Sequence, residues 1–177
     1  AGLSFIEAMC HTFASLGTGG FSTRNASVGG FNSPAVEIIC GVFMILAGVN
    51  FSLYFHLFTG NPEEFFHNSE LKAYLKIVFV STVLIALSIY PIYGIGGGLR
   101  QSFFQVASVI TTTGFSTADY NSWPEFAKMV LFFLMFVGGC SGSTAGSIKV
   151  IRWLILQKQA GMEAKRLLSP HGVFGIQ

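Results

Sequence analysis

What most constrains this chain is a stretch that it contains twice. Residues 7–23 read EAMCHTFASLGTGGFST and residues 101–117 read QSFFQVASVITTTGFST. The two align without a gap, setting Gly20 on Gly114 and Phe21, Ser22 and Thr23 on Phe115, Ser116 and Thr117. Each copy is an apolar segment of helical character that stops in a Thr/Gly run and turns. Each then passes through a polar loop to a proline and a long apolar run. The expected unit is therefore helix, bent-back loop, helix, present in duplicate.

The surroundings of such a unit are set by composition. Of 177 residues, 51% are hydrophobic, 19 are Phe and only 10% are charged, whereas soluble domains carry about 25% charged residues. Crossing roughly 30 Å of hydrocarbon takes about 20 apolar residues, and the chain offers such runs. The fold class expected is an all-α membrane protein of repeated helix–pore loop–helix units, with re-entrant half-helices and one broken transmembrane helix. Cys10, Cys40 and Cys140 are widely spaced and indicate neither a disulfide framework nor a zinc site.

In chain order, residues 4–16 are apolar but too short to cross, so they read as a re-entrant half-helix. Pro34 suits a first helical turn, and the run 34–58 reads as one full crossing. Residues 63–70 form a charged connection, and 71–90 a second crossing ended by Pro91 and the glycines of 94–98. A second half-helix spans about 99–110. The apolar run after Pro124 breaks in its middle at residues 138–147 and resumes at Ile148. This divides the chain into an incomplete pore-loop repeat (1–62), a complete one (63–160) and an aqueous connection (161–177). Lys72, Lys76, Lys149, Arg152, Lys158, Lys165 and Arg166 fall on one side of this topology, with Arg24, Arg100 and Lys128 on the other. The positive-inside rule makes the Lys-rich side cytoplasmic, so both Thr/Gly loops dip in from the external face.

Backbone that is neither helix nor barrel is tolerated at membrane depth only where protein surrounds it or water bathes it. Two such loops in matching places imply a lined pathway. Backbone carbonyls turned toward one axis can replace the hydration shell of a cation without a buried charge. The hydroxyls of Thr18 and of Thr111, Thr112 and Thr113 can brace the loops or offer oxygens. Gly20 and Gly114 permit φ > 0 and leave room for a neighbouring strand. The broken segment, made of Gly138, Gly139, Cys140, Ser141, Gly142, Ser143, Thr144, Ala145, Gly146 and Ser147, cannot continue a helix at low cost. A flexible segment between two firm half-helices could occupy the pathway in one state and withdraw in another, with Lys149 finding partners among its carbonyls. Deleting residues 142–146 is then expected to raise flux and leave ion preference intact.

These residues carry a family resemblance. HTFASLGTGGFST followed by Gly48-Val49-Asn50, FFQVASVITTTGFSTADYNSWP, GGCSGSTAGSIKVIRWLILQKQ and KRLLSPHGV together span nearly the whole chain. They resemble the potassium-translocating membrane subunit of the Trk system, in the Trk/Ktr/HKT superfamily, whose chains carry four non-identical pore-loop repeats around one pore. The order resembles the second and third repeats, the second without its first helix. The resemblance implies K⁺ coordination by the carbonyls around Thr18, Gly19, Gly20, Thr112, Thr113 and Gly114, a gate at 138–147 beneath those loops, the inner membrane, a homodimer and a cytoplasmic nucleotide-binding regulatory subunit. It implies lipid as the surroundings, no nucleic acid, and no cofactor in this chain beyond the transported K⁺. Two alternatives stand beside it. One is a Na⁺-permeable or Na⁺-coupled member of the same superfamily. The other is a rhomboid-like intramembrane serine protease, since residues 139–142 fit GxSG. That enzyme reading lacks a His placed as general base for Ser141, so no enzymatic activity is expected.

Overall fold

The computed structural model describes residues 2–60 and 62–168, and within them every regular element is helical. The readings made above for residues 169–177 lie outside the described residues. Helix α1 (Phe5–Leu16) starts in a capping box: the Ser4 hydroxyl accepts from Glu7 N–H, and the Glu7 carboxylate accepts from Ser4 N–H. Its 12 residues rise about 18 Å at ~1.5 Å each, well short of a bilayer. A 3₁₀ turn (Ser27–Phe31) leads to α2 (Pro34–Ala47), with Pro34 in its first turn.

Here the structure departs from the single crossing expected over 34–58. Between α2 and α3 (Phe51–Phe58) the chain bends by 92°. Gly48 weakens the helix and the Asn50 side chain caps α3 by accepting from Ser52 N–H. The freed Gly48 carbonyl accepts from Cys140 N–H at 2.8 Å, so a distant segment holds the bend. The connection at 63–70 also differs, because Pro62 starts a short helix, α4 (Pro62–His67), with two glutamates in its first turn.

Helix α5 (Ser69–Ile110) is formally 42 residues long but consists of two helices meeting at Gly94 (φ 68, ψ −176), three residues after Pro91. The first segment is long and apolar enough to cross a membrane. The second is the second half-helix. After a 3₁₀ turn (Tyr120–Ser122), α6 (Glu125–Leu134) ends four residues before the first glycine of the expected break, and α7 (Val150–Leu168) begins after Lys149. The non-helical segment is therefore longer than 138–147. Val137 and Ile148 pair in an isolated parallel bridge, with Gly138 N–H donating to Ile148 O, and this closes the neck of the loop instead of extending α6.

The first segment of α5 is the axis of packing. Tyr74, Ile85 and Ile89 on it are fully buried with Ile110, Trp123, Leu131, Cys140 and Val150. A second core joins Val28, Val36, Met44, Phe104 and Phe115 between the two repeats. Arg100 Nε lies 3.0 Å from the buried Glu37 Oε2, an ion pair whose angle falls short of a hydrogen bond and which ties the second half-helix to α2. Outward-facing Phe79 and Leu87 are each 70% exposed, as lipid-facing residues are.

Candidate functional site

The two half-helices end in the same way, bond for bond. In the first copy Gly17, Thr18, Gly19 and Gly20 donate to the carbonyls of Phe13, Ser15, Ala14 and Ala14. In the second, Thr111, Thr112, Thr113 and Gly114 donate to Ala107, Val109, Ser108 and Ser108, the aligned positions throughout. Gly19 N–H reaching back to Ala14 O while Thr18 N–H reaches Ser15 O is a Schellman closure. That closure puts the residue after the cap in the left-handed region, usually glycine. Here it is Thr18 (φ 50) and Thr112 (φ 55). A β-branched residue there is an outlier, costing on the order of 1–3 kcal/mol unless its surroundings hold it.

Beyond the closure the two loops lie against each other. Gly20 has φ 69, and a Cβ built on it would sit 1.8 Å from Thr113 O, so only glycine fits. Gly114 (φ 87) would meet nothing within 4 Å. Phe115 is fully buried and stacks on His11 of the first copy (ring centroids 5.6 Å), whereas its counterpart Phe21 is 82% exposed. One face of each copy is thus met by the other copy, and the opposite faces are open. His11 serves packing: Nδ1 bonds Glu7 O at 2.7 Å and Nε2 bonds Ser22 Oγ at 2.9 Å. Glu7, on the re-entrant α1 and outside the spanning segments, pairs with Arg24 at 2.8 Å. Its carboxyl is held below the usual range, first by Ser4 N–H and then by the Arg24 guanidinium. Among the described residues, none of the carbonyls of Thr18, Gly19, Gly20, Thr112, Thr113 and Gly114 accepts a hydrogen bond.

The segment between α6 and α7 lies directly against these loops. Thr18 Oγ1 donates to Thr144 O at 3.0 Å, and Gly146 N–H donates to Thr112 Oγ1 at 2.7 Å. Thr144 Oγ1 lies within reach of the Leu16 and Ala47 carbonyls at 3.0 and 3.2 Å. On the far side, Cys140 N–H is held by Gly48 O, and Phe51 N–H donates to Gly142 O at 3.1 Å. A Cβ on Gly139 would come within 2.7 Å of Gly48 O, so the segment sits in the α2–α3 bend. Lys149 curls back inside the segment and donates to Ser143 O and Oγ, each at 3.3 Å, and to Ala145 O. Ser147 Oγ donates to Met135 O at 2.7 Å.

One contributor went unseen in the sequence. Glu70 reads there as part of a charged connection, yet its side chain is buried, and Oε1 accepts from Ser141 N–H at 2.7 Å and Ile151 N–H at 3.1 Å. A single carboxylate oxygen so clamps the start of the broken segment and the N-terminus of α7, where a negative charge is favourable. Only a buried acid at the start of a span could have hinted at this, because its partners are 71 and 81 residues away. The GxSG serine is engaged here through its backbone, in that same bond to Glu70.

Comparison with known proteins gives a consistent result. Residues 2–176 match the TrkH family model, described as "Cation transport protein". The chain is 38% identical over 181 residues to the Trk system potassium uptake protein TrkH of Escherichia coli strain K12, covering 100% of this chain and 38% of that protein. It is 34% identical to TrkG of the same strain over 179 residues, covering 99% of this chain and 37% of that protein. The crystal structure of the potassium transporter TrkH from Vibrio parahaemolyticus superposes with a TM-score of 0.93 at 35% identity, covering 99% of this chain and 39% of that one. The chain spans less than two fifths of the length of these relatives.

Proposed function

The chain belongs to the TrkH family of cation transport proteins, transporters rather than enzymes, and on that premise we propose that it lines part of a potassium pathway across the inner membrane. The observation that carries the reading is the set of six loop carbonyls at the ends of two half-helices, left without a hydrogen-bond donor among the described residues. At membrane depth, backbone carbonyls without donors are tolerated only where protein surrounds them or a pathway bathes them. A dehydrated K⁺ bound by oxygens such as these is compensated for its lost hydration. The partially negative C-terminal ends of the half-helices favour a cation at the same place. The open faces at Gly114 and Phe21 suit two further pore loops, which would complete the coordination.

The segment from Met135 to Lys149, directly under the loops, is the gate in this reading. Its own bonds make it a closed plug, and the α2–α3 bend is its seat. Lys72, Lys76, Arg152 and Lys158 near the seat support a cytoplasmic side for it by the positive-inside rule. Regulation by a cytoplasmic nucleotide-binding subunit acting through α7, and assembly as a homodimer, belong to the same proposal. The Trk relatives' names as a system are consistent with further components. Membrane potential suffices as a driving force: about 2.3 kcal/mol per charge per 100 mV corresponds to roughly 50-fold accumulation at ~1.4 kcal/mol per tenfold.

The test is ion preference in the full-length transporter. Gly20→Ser and Gly114→Ser should relax discrimination between K⁺ and Na⁺ in protein that reaches the membrane. Unchanged preference at normal membrane levels would remove the filter assignment.

A further inference from the structure

One peptide unit in the second Thr/Gly loop is gripped from both sides. The carbonyl of Phe115 accepts from Ser108 Oγ of its own half-helix at 2.6 Å. The N–H of the same peptide, that of Ser116, donates to Ser27 Oγ at 3.2 Å, and Ser27 belongs to the polar loop that follows the first copy. Gly29 of that loop donates its N–H to Ser116 O at 3.1 Å. The approach is close: a Cβ on Gly29 would lie 2.8 Å from Thr117 O, so the 3₁₀ turn Ser27–Phe31 lies against the second loop. Ser27 itself holds φ 54, in the left-handed region that serine seldom adopts. The aligned peptide of the first copy, between Phe21 and Ser22, has none of these three bonds among the described residues, and Ala14 stands where Ser108 does.

The grip falls where it bears on the free carbonyls. Upstream, the Schellman closure fixes the N–H groups of residues 111–114 on the half-helix. Downstream, the peptide between Phe115 and Ser116 is held as described. Between the two anchors stand the carbonyls of residues 112–114 and Gly114 itself, the position with the greatest backbone freedom. With both ends held these carbonyls keep one orientation; with the downstream end released, Gly114 lets them turn. We propose that the polar loop of the first copy fixes the second filter loop from outside: Ser27, Gly29 and Ser108 are positioning residues for ion discrimination. The number and spacing of oxygens presented to the ion decide which cation recovers its hydration most fully. The grip has no hydrogen bond to the segment between α6 and α7 among the described residues, so it stays in place when that segment withdraws and the pathway conducts. This rests on the filter reading above and adds what shapes the filter.

The experiment measures K⁺ and Na⁺ flux ratios in liposomes, with membrane levels and melting temperatures, for variants of the full-length transporter. Ser27→Gly removes the acceptor and leaves the turn its shape, because glycine adopts φ 54 unaided. It should lower K⁺ over Na⁺ discrimination about fivefold, the equivalent of the ~1 kcal/mol that one net hydrogen bond contributes. Ser108→Ala should do the same from the other side of the peptide, and it keeps the test intact if the Ser27 variant is absent from the membrane; alanine already stands at the aligned Ala14. Because both bonds hold one peptide, the double variant should lose clearly less than the product of the two single losses. Gly30→Ala alters the same turn where the nearest neighbours of a Cβ are Arg24 and Ala26, and it should keep the wild-type ratio. A purely structural role would lower melting temperature in Ser27→Gly and Ser108→Ala and leave the ratio unmoved. Wild-type ratios in both single variants at normal membrane levels would overturn the proposal, as would losses that simply multiply in the double variant or a Gly30→Ala ratio as low as that of Ser27→Gly. Gly20→Ser run alongside separates the two levels: if it changes the ratio while Ser27→Gly and Ser108→Ala do not, only the grip has failed; if none of the three changes it, the filter assignment has failed.

Discussion

Gly20 and Gly114 are equivalent in sequence and unequal in surroundings. A side chain at Gly20 would enter the Thr113 carbonyl, while one at Gly114 would enter open space. Considering this chain alone, Gly114→Ala should cost only the left-handed penalty, about 1–2 kcal/mol, and Gly20→Ala considerably more. If a further pore loop stands against Gly114 in the full-length transporter, the two substitutions become equally severe. Thermal unfolding of the full-length variants in detergent decides this, and a markedly milder Gly114→Ala would mean that no strand approaches it. Such glycines were legible from sequence because a duplicated Thr/Gly run at membrane depth has few other uses. The strained threonines were not. Thr18 and Thr112 look like ordinary β-branched residues until the Schellman closure shows them where glycine usually stands, and their side-chain bonds run to residues 126 and 34 positions away.

Among the elements, the kink in α5 and the Glu70 clamp on the segment between α6 and α7 are separately testable. Gly94 holds φ 68 and ψ −176 with nothing near its missing side chain, whereas Gly96 is equally uncrowded and has no positive φ. Gly94→Ala should therefore destabilise the transporter by about 1–3 kcal/mol through backbone strain alone. Gly96→Ala should be neutral or stabilise by up to about 1 kcal/mol. A pair of melting curves checks both. Glu70→Ala would strand two backbone N–H groups, at about 1–3 kcal/mol each, and is expected to loosen the gate and raise basal K⁺ flux. Glu70→Gln keeps an oxygen for both donors and should leak less than Ala; equal leak from the two would mean that the charge rather than the acceptor holds the gate. Elements bounded by prolines and glycines were legible, among them α1, the start of α2, the crossing in α5 and its half-helix. The 92° bend after Ala47 was hidden inside a continuous apolar run, because what fixes it is the Cys140 N–H on Gly48 O. The early end of α6 was hidden likewise, since Met135 to Val137 continue the apolar run and the bridge that draws Val137 out of it is made by Ile148, beyond the glycines.

For the molecule as a whole, the two consecutive Thr/Gly loops make an arc with open faces at both ends: Phe21 exposed on one side, Gly114 uncovered on the other. An ion at its axis would find only part of its coordination, and loop backbone would face lipid. The 177-residue chain alone should thus carry no measurable K⁺ flux in liposomes, while the full-length transporter does. The central claim is that the carbonyls of residues 18–20 and 112–114 bind the transported cation. The most direct measurement is the anomalous scattering of Tl⁺, a K⁺ substitute, in crystals of the full-length transporter. The account predicts a peak at the level of these six carbonyls, lost when Na⁺ replaces Tl⁺. Tl⁺ density confined to other places, with these loops well ordered, would contradict it.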